Sequence, residues 1–464
     1  MDGVINLEVI DKNGNVKTIT FNKKPIAEGG EGIVLLSTDQ RYIGKIYRQE
    51  IVRSADHMLE IIKASPEPSN EAYDRLAWPL YLIPDHELRV RGVVTENAGY
   101  KTWKEQLIWY LAARPFKALD LAKRGNFKGF VQIALDIAKA LRYLNLKGYG
   151  HADLSGRNIL VNPIEGRAVV IDLDGLVVPG HMEGSVIGTP GFIAPELVDG
   201  ILQKSFVKPS AVSDRHALAV IMFQLLLWHH PLLDGSRSAL NQDASLDDLL
   251  RTSSAHAVYV HDPNNNINRM KDPHIPVESL GQEMVELFRR AFVEGIKDPN
   301  ARPHPSDWEH ALRNLLQDLV SCSNDKCYWK YFPSLGGDQD ICPICRSGAK
   351  DLPTFGMIRI MREDKKRAYF FPTKTRETNL KKNNQFSAKE LFSNNRDTTS
   401  LIELNRRNND WALVVKKNNI KVMIIRAISH KSETLSNNSP KMIGINDLII
   451  VSDGQARCLI ELDK

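Results

Sequence analysis

The order of strand-like and helix-like patterns is the feature that most limits how this chain can fold. Residues 4–47 alternate apolar and polar positions around the turn sequence DKNGN, which predicts a series of β-strands. Helical spacing of apolar residues then dominates, most clearly in FVQIALDIAKALRYLNLKG, which ends in a glycine. Because strand-rich residues precede a longer helical region, the sequence predicts an α+β fold with two lobes.

Length and apolar runs limit the class of protein further. At 464 residues the chain is too long for one hydrophobic core, so several domains are expected. The longest apolar run, residues 217–228, is shorter than the roughly twenty residues that cross a bilayer. The first residues contain acidic groups and lack the apolar core of a signal peptide. These features predict a cytoplasmic protein that has no membrane partner.

The last part of the chain differs from the rest in charge and pattern. Residues 346–464 contain 23 Lys or Arg and 13 Asp or Glu, a net charge of +10 against +5 for the whole chain. The runs WALVV, KVMIIRAI and DLIIVS predict strands, whereas the polar residues 374–400 predict a long loop. We therefore expect a β-rich C-terminal domain at 351–464. Its basic charge is compatible with nucleic acid, but dispersed Lys and Arg are more typical of a solvated surface.

A glycine-rich turn near the N-terminus carries the first chemical signal. The stretch IAEGGEGIV at 26–34 is followed, one strand later, by Lys45. Glycines let the backbone approach phosphate oxygens and donate N–H groups to them, and a nearby amine can reach the same oxygens. A plain β-hairpin explains the same residues, so this motif alone leaves both interpretations open.

Further motifs follow at ordered intervals along the chain. They are HADLSGRN, IDLDG, GTPGFIAPE, SDRHALAVIMFQLL and DPNARP. As an ordered set the motifs resemble the protein-kinase superfamily over roughly residues 20–318. The resemblance implies a bilobal kinase-like fold, with an N-lobe at 1–98 and a C-lobe at 99–318. It also implies binding of ATP with Mg²⁺ or Mn²⁺.

The same resemblance implies which residues contact the nucleotide. Lys45 corresponds to the lysine on the α and β phosphates, and its acidic partner on the next helix would be Glu60, with Glu50 as the alternative. The three glycine positions of the phosphate loop fall on Ala27, Gly29 and Gly32, and Val34 would cover the adenine. Thr95 matches the gatekeeper position, and Glu96 to Ala98 would form the hinge whose backbone pairs with adenine.

The stretch GYGHADLSGRNILV corresponds to the catalytic loop of that family. Asp153 would accept or orient the proton of the substrate hydroxyl, and Asn158 would bind the magnesium ion. IDLDG offers two metal-binding carboxylates, of which Asp172 is favoured because it follows the apolar run AVVI. Asp174 is the alternative, since residues two apart on an extended segment face the same side.

Departures from the family pattern concern regulation and the acceptor. Ala152 replaces an arginine that pairs with a phosphate on the activation segment. In the short activation segment the only hydroxyl side chains are Ser185 and Thr189, so switching by phosphorylation is disfavoured. Ser155 replaces the lysine of Ser/Thr kinases, and Arg157 resembles the arginine of tyrosine kinases. We interpret Arg157 as the substitute catalytic cation and, from Thr189, Ser or Thr as the acceptor.

Three further residues have expected architectural roles. Glu196 and Arg302 resemble the ion pair that braces the lower lobe of the family, and Asp214 begins the apolar helix of that lobe. His229 and His230 end the same helix, where contacts with terminal carbonyl groups are expected.

Four cysteines follow the kinase-like region. The motifs CSNDKC and CPIC present Cys322, Cys327, Cys342 and Cys345. Four thiolates at such spacings suit tetrahedral Zn²⁺ and predict a zinc ribbon at 319–350, whereas disulfides are not expected in a cytoplasmic chain. Trp329, Tyr331 and Phe332 would either stack on nucleic-acid bases or form the small core of the ribbon.

A kinase-like domain followed by a four-cysteine ribbon resembles bacterial kinases of tellurite-resistance and stress modules. That resemblance implies a cognate phosphatase and a von Willebrand-type protein as partners, besides the protein substrate. The leading hypothesis is therefore a Ser/Thr protein kinase that transfers the γ-phosphoryl group of ATP, with the ribbon and β-rich domain recruiting partners or regulating activity. Two alternatives are a nucleotide-binding pseudokinase and a nucleic-acid-binding adaptor with an ATP-sensing lobe.

Overall fold

The computed structural model describes the chain with gaps. The described residues are 3–51, 53–85, 89–98, 105–106, 125–178, 188–235, 246–271, 273–334, 341–351, 355–364, 369–379, 384–392, 399–407, 410–417, 420–425, 431–435, 440–443 and 447–463. Ser185 lies outside these ranges, so its place in the activation segment stays a prediction. The chain divides into two compact units, Met1–Leu316 and Gln317–Lys464.

An antiparallel sheet forms the beginning of the first unit. Its strands are β1 Val4–Asp11, β2 Val16–Asn22, β3 Ala27–Glu28, β4 Gly32–Leu36, β5 Tyr42–Tyr47, β6 Arg53–Ser54, β7 Pro79–Pro84 and β8 Arg89–Glu96. They lie in the order β2-β1-β7-β8-β5-β4-β3, and β6 pairs with β8. Alternate residues face one core, formed by Leu7, Val9, Ile19, Phe21, Leu35, Ile46, Ile83 and Val94. The alternation of apolar and polar residues along these strands thus places the apolar side chains on one face of the sheet, where they form the core.

One short helix, α1 Ala55–Lys63, accompanies this sheet. It begins directly after Ser54, whose hydroxyl accepts the backbone N–H of His57 and caps the first turn. Its buried residues are His57, Met58, Ile61 and Ile62. The helix therefore turns a histidine, rather than a carboxylate, toward the interior.

The remainder of the first unit is mainly helical. Its described α-helices are α2 Phe127–Lys147, α3 Pro195–Leu202, α4 Ala211–Leu227, α5 Leu246–Thr252, α6 Gln282–Arg289, α7 Gly295–Lys297 and α8 Pro305–Gln317. A π-helical turn, Arg290–Glu294, joins α6 to α7, and short 3-10 turns cover Tyr73–Arg75, Gly156–Asn158, Leu173–Gly175, Val277–Leu280 and Pro299–Ala301. The helix predicted from FVQIALDIAKALRYLNLKG is α2, which confirms that helical pattern.

Two of these helices have well-defined caps. Gly148 ends α2 with a φ of 72°, a left-handed conformation that glycine adopts without strain. Ser210 begins α4 with a capping box shared with Ser213. Helix α4 is buried almost all round, so its apolar run is a core helix. In the described part of the chain no helix combines the length and apolarity needed to cross a membrane.

A small sheet in the helical half carries the loops expected to be catalytic. It consists of β9 Glu105–Gln106, β10 Ile159–Asn162 and β11 Arg167–Val170, in the order β11-β10-β9. Strand β10 follows directly after Asn158, and Asp172 comes two residues after β11. Since β10 and β11 are antiparallel neighbours, the loop before β10 and the loop after β11 lie at the same end of the sheet.

The second unit consists largely of antiparallel strands in its described part. They are β12 Leu319–Cys322, β13 Tyr331–Pro333, β14 Ala349–Asp351, β15 Phe355–Asp364, β16 Tyr369–Asn379, β17 Asn384–Ser387, β18 Ser400–Arg407, β19 Asp410–Val415, β20 Lys421–Ile425, β21 Ser432–Leu435, β22 Lys441–Ile443, β23 Leu448–Ser452 and β24 Arg457–Asp463. The sheet orders are β13-β12-β14, β16-β15-β24-β23-β20-β21 and β17-β18-β19-β22. Strands β19, β20 and β23 lie where WALVV, KVMIIRAI and DLIIVS predicted strands.

The prediction of a long loop at 374–400 is wrong. Strand β16 continues to Asn379, and β17 is followed by a helical turn, α9 Ala388–Leu391. Phe386, Leu391 and Phe392 are buried in the core of this unit. A few apolar side chains that reach the core therefore outweigh the polar composition of the segment. Cys458 is buried in β24.

Candidate active site

The loop that contains Asp153 is held by a network of hydrogen bonds. Thr189 Oγ1 donates to Asp153 Oδ1 at 2.7 Å. The side-chain amide of Asn158 donates to the Asp153 backbone carbonyl at 2.8 Å and to Asp153 Oδ2 at 3.1 Å. Since these bonds use the amide N–H groups of Asn158, its carbonyl oxygen is left as the atom suited to a cation. The structure thus brings Asp153, Asn158 and Thr189 together.

A buried aspartate, Asp214, anchors the backbone of this loop. Asp214 accepts hydrogen bonds from the backbone N–H groups of His151 at 2.5 Å and Ala152 at 3.3 Å. Burial raises the pKa of Asp214 to about 6, against the opposing effects of the His151 charge and the two N–H donors. Ala152 has a φ of 67°, which L side chains rarely adopt. The architectural role expected for Asp214 is confirmed.

The residues after β11 return to the same region. His151 Nε2 lies 3.0 Å from the Ile171 carbonyl oxygen, which ties the two loops together. Asp172 follows with a φ of 64°, another left-handed conformation at a non-glycine residue. Such conformations cluster at functional sites because surrounding contacts are needed to hold them. The segment is a tight turn rather than the extended strand assumed from its sequence.

Both aspartates of IDLDG contact Lys45. Lys45 Nζ lies 2.6 Å from Asp172 and 3.1 Å from Asp174. Asp174 also accepts a hydrogen bond from the Tyr47 hydroxyl at 2.7 Å, and its side chain is 3% exposed against 36% for Asp172. Asp174 is therefore committed to internal partners, whereas Asp172 is the carboxylate that remains accessible to a ligand.

The electrostatics of the two aspartates differ accordingly. Burial raises the pKa of Asp172, and the charge of Asp174 adds to this effect. For Asp174, burial is outweighed by the charge of Lys45 and the hydrogen bond from Tyr47, which lower its pKa. Asp174 thus has the lower pKa of the two, and a cation near Asp172 would oppose the burial that raises its pKa.

The glycine-rich turn lies over the strand that carries Lys45. Val34 on β4 pairs with Lys45 on β5, and Ala27 pairs with Val34 across the hairpin. At Gly32 a Cβ atom would lie 2.0 Å from the Ile46 carbonyl oxygen, so only glycine fits there. Around Gly29 a Cβ atom would meet open space, which leaves that backbone accessible from outside.

The expected ion pair between Lys45 and Glu60 is corrected by the structure. The glutamate that contacts Lys45 Nζ is Glu31, from the glycine-rich turn, at 2.6 Å. Glu60 lies on a half-buried flank of α1, where its charge contributes to a raised pKa of Tyr149. Glu50, the alternative, is an exposed turn residue before β6. The sequence signal for Glu31 was its position between two glycines of the turn.

The predicted hinge residues lie at the end of β8, beside the strand of Lys45. Thr95 pairs with Ile43 of β5, and Glu96 pairs with Tyr42. Asn97 donates its backbone N–H to the Arg41 carbonyl at 2.9 Å, and Ala98 follows it in the chain. Their roles toward adenine stay predictions.

The two residues that replace the usual lysine have different surroundings. Ser155 is fully buried, and its hydroxyl accepts the backbone N–H of Arg157. Thr189 Oγ1 lies 3.3 Å from Ser155 Oγ. The Arg157 side chain is exposed in the turn Gly156–Asn158. Of the two, only Arg157 places a charge where a substrate can reach it.

Comparison with known proteins agrees with this arrangement. Residues 121–319 match the family model of the protein kinase domain. This part of the chain is therefore similar to a protein kinase domain. The chain is also similar to proteins named dual serine/threonine and tyrosine protein kinase, from several animals.

The similarity to these relatives is partial. The chain is 30% identical to the Apis mellifera protein over 173 residues, covering 35% of this chain and 17% of the relative. The Mus musculus protein is 28% identical over 200 residues, covering 42% and 18%. The Pimephales promelas protein is 32% identical over 275 residues, covering 57% and 27%. The chain thus spans less than a third of the length of these relatives.

A buried ion pair joins two distant parts of the first unit. Arg302 donates to both carboxylate oxygens of Glu196, at 2.8 and 2.6 Å, and its Nε donates to the Gly295 carbonyl. Arg302 is fully buried. The predicted pair is confirmed, and its bidentate geometry is the strong form of such a contact. Of the two histidines that end α4, His229 contacts the terminal carbonyl of Leu227, whereas His230 bonds Gly191.

The four cysteines of the second unit lie together. Cys322 Sγ is 3.4 Å from Cys345 Sγ, Cys327 Sγ is 3.8 Å from Cys342 Sγ, and all four sulfurs lie within 4.8 Å of one another. A tetrahedral site with Zn–S bonds of about 2.3 Å needs sulfurs about 3.8 Å apart, so this donor set fits Zn²⁺. Beside the cluster, Trp329 and Phe332 are fully buried. These rings form a core and are not placed to stack on bases.

Proposed function

We propose that this chain is a protein kinase that transfers the γ-phosphoryl group of ATP, in the presence of Mg²⁺, to Ser or Thr of a protein substrate. The observation that carries the proposal is the contact of Lys45 with Asp172. It joins the strand under the glycine-rich turn to the segment that follows the catalytic loop. A phosphate-binding amine and an accessible carboxylate thus lie side by side, as phosphoryl transfer needs.

The roles of the residues follow from their surroundings. Lys45 would bind phosphate oxygens, and Asp172 with the carbonyl oxygen of Asn158 would hold the metal. Bound Mg²⁺ supplies charge neutralisation at the phosphates. Asp153, fixed by Thr189 and Asn158, would orient the substrate hydroxyl and accept its proton. Arg157 would add positive charge near the transferred group.

The acceptor class rests on two observations. The hydrogen bond between Thr189 and Asp153 supports Ser or Thr, because it reproduces the contact that the family resemblance implied for such kinases. Tyrosine is a second candidate, because the matched relatives are named dual serine/threonine and tyrosine protein kinases and because Arg157 replaces the lysine. Incubation with radiolabelled ATP and mixed acceptor peptides, followed by phosphoamino-acid analysis, separates the two.

Label on serine and threonine is the expected result. Label confined to tyrosine would overturn the acceptor assignment and leave the kinase proposal intact. Absence of label on any acceptor, while ATP still binds, would favour the nucleotide-binding pseudokinase. The buried rings beside the cysteines weaken the nucleic-acid adaptor as an explanation.

We also propose that Cys322, Cys327, Cys342 and Cys345 hold a structural zinc ion in a ribbon that recruits partners or regulates the kinase domain. The support is the mutual distance of the four sulfurs. A cognate phosphatase and a von Willebrand-type protein, in a bacterial stress module of the cytoplasm, belong to this proposal through sequence resemblance alone. Metal analysis of the purified protein tests it: one equivalent of zinc is expected, and a metal-free folded chain would contradict it.

A further inference from the structure

Glu31 stands out in the candidate site because motif comparison gave it no role. It lies in the glycine-rich turn, directly before Gly32, yet its Oε2 lies 2.6 Å from Lys45 Nζ. Lys45 is 15% exposed and Glu31 33% exposed, so the pair is partly shielded from water. An ion pair in this setting is stronger than the exposed pairs that contribute little to stability.

A second cation holds Glu31 in place. Arg53 Nη2 lies 3.4 Å from Glu31 Oε1, so each carboxylate oxygen faces its own cation. Arg53 is itself buried, at the N-terminal end of α1, and lies over the ring of Tyr47. The position of Glu31 is thus set by the folded core rather than by the glycine-rich turn alone.

The helix next to the site makes a different contact. His57, on the inner face of α1, lies with Nε2 3.1 Å from the carbonyl oxygen of Leu176, just after the IDLDG segment. Glu60, three residues later, is not among the carboxylates on Lys45. The helix is therefore attached to that segment by a hydrogen bond, and the glutamate that contacts Lys45 comes from the turn.

We propose that Glu31, held by Arg53, is the residue that positions Lys45 toward the phosphate groups of the nucleotide. The inference rests on the proposed phosphotransfer function and adds a positioning residue to it. Glu31 acts through Lys45 and has no direct part in the chemistry.

The hydrogen bonds of Lys45 explain how this contact can persist with nucleotide bound. An ammonium group has three N–H donors, and in this structure Glu31, Asp172 and Asp174 face them. A phosphate oxygen that approaches Lys45 must replace one of these carboxylates. Asp172 is the accessible carboxylate expected to bind the metal, so it is the contact that a phosphate oxygen would replace, and Glu31 can remain beside the buried Asp174.

The test compares Glu31→Gln with a matched control in the same turn. Glu28→Gln makes the same chemical change at a carboxylate that is 62% exposed and pairs with Arg48 on the surface. For each full-length variant, kcat and the KM for ATP are measured with Mg²⁺. Affinity for ATP is measured by calorimetry, and thermal unfolding checks the fold.

Glu31→Gln is expected to lower kcat/KM for ATP by about tenfold and to weaken ATP binding. Glu28→Gln is expected to change kcat/KM and the affinity for ATP by less than about twofold. Glu31→Asp, which keeps the charge, is expected to recover part of the loss. In a Lys45→Met background, Glu31→Gln should cause no further loss of ATP affinity, because a positioning residue acts only through its target.

Two results would overturn the proposal. Tighter ATP binding by Glu31→Gln would mean that Glu31 blocks the site and does not position Lys45. Equal effects of Glu31→Gln and Glu28→Gln would mean that the contact has no role. If the wild type transfers no phosphate, the proposed function fails, but the calorimetric comparison still decides the role of Glu31.

Discussion

Thr189 Oγ1 donates a hydrogen bond of 2.7 Å to Asp153 Oδ1, and this bond links the predicted activation segment to the loop that contains Asp153. The same hydroxyl lies 3.3 Å from Ser155 Oγ, which is fully buried. Asp153 therefore has a fixed orientation before any substrate arrives. Preorganisation of this kind contributes to catalysis because no rearrangement is needed at the moment of reaction.

Removal of this hydroxyl tests whether the orientation matters. Thr189→Val keeps the shape of the side chain but removes the donor, so kcat is expected to fall by about tenfold, the equivalent of one hydrogen bond. Thr189→Ser keeps the hydroxyl and is expected to retain most of the activity. Unchanged kcat in Thr189→Val, at an unchanged unfolding temperature, would show that the bond is structural only.

The ion pair between Arg302 and Glu196 should contribute strongly to stability. Glu196→Gln leaves a fully buried guanidinium without its counter-charge, and we expect the free energy of unfolding to fall by about 2–4 kcal/mol. Urea denaturation of the wild type and the variant measures this difference. As a surface control, Glu28→Gln removes an exposed pair and should change stability by less than about 1 kcal/mol. Similar losses in both would contradict the bracing role.

His216 should make stability depend on pH. Burial, with the charges of Arg302 and His230, holds the pKa of His216 well below its usual 6.5. The folded state thus keeps the ring neutral while the unfolded state takes up a proton below pH 6.5, so stability falls with falling pH.

Through this one group, the free energy of unfolding is expected to fall by about 1.4 kcal/mol for each pH unit below pH 6.5. His216→Phe keeps a ring against Phe292 but cannot titrate, so its loss of stability between pH 7 and 5 should be smaller by about 2 kcal/mol. Denaturation at several pH values measures the difference. Parallel pH profiles for the two proteins would show that His216 does not titrate in this way.

Zinc removal should affect the second unit first. Because Cys322 and Cys327 come from β12 and the turn after it, whereas Cys342 and Cys345 come from a later segment, a shared ion would tie these two segments together. A chelator is expected to release the metal and lower the unfolding temperature of the full chain, and added Zn²⁺ should restore it. Cys345→Ser should weaken zinc retention in the same assay. An unfolding temperature that ignores both chelator and zinc would contradict a structural site.

The sequence predicted the parts of the site that depend on local motifs. Asp153, Asn158 and Asp172 belong to short turns whose spacing is visible along the chain, and the partners Glu196 and Arg302 each lie in a recognisable motif. Strands and helices with clear periodicity were also found, because burial of one face imposes that period.

The sequence could not predict contacts that arise only when distant segments meet. Whether Glu31 or Glu60 reaches Lys45 depends on how the glycine-rich turn folds over β5 and on which face of α1 turns inward. Likewise, three apolar side chains, Phe386, Leu391 and Phe392, fold a polar segment into the second unit. Periodicity gives no information on either, because both are decided by tertiary packing.

The most direct test of the account compares phosphotransfer from radiolabelled ATP by the wild type, Asp153→Asn and Asp172→Asn, with Mg²⁺ and with Mn²⁺. The account predicts that the wild type labels its acceptor and that each variant loses activity by about a hundredfold or more, since one loses the base and the other the accessible metal ligand. Thermal unfolding confirms that the variants are folded. Equal labelling by all three proteins would contradict the assignment of the active site.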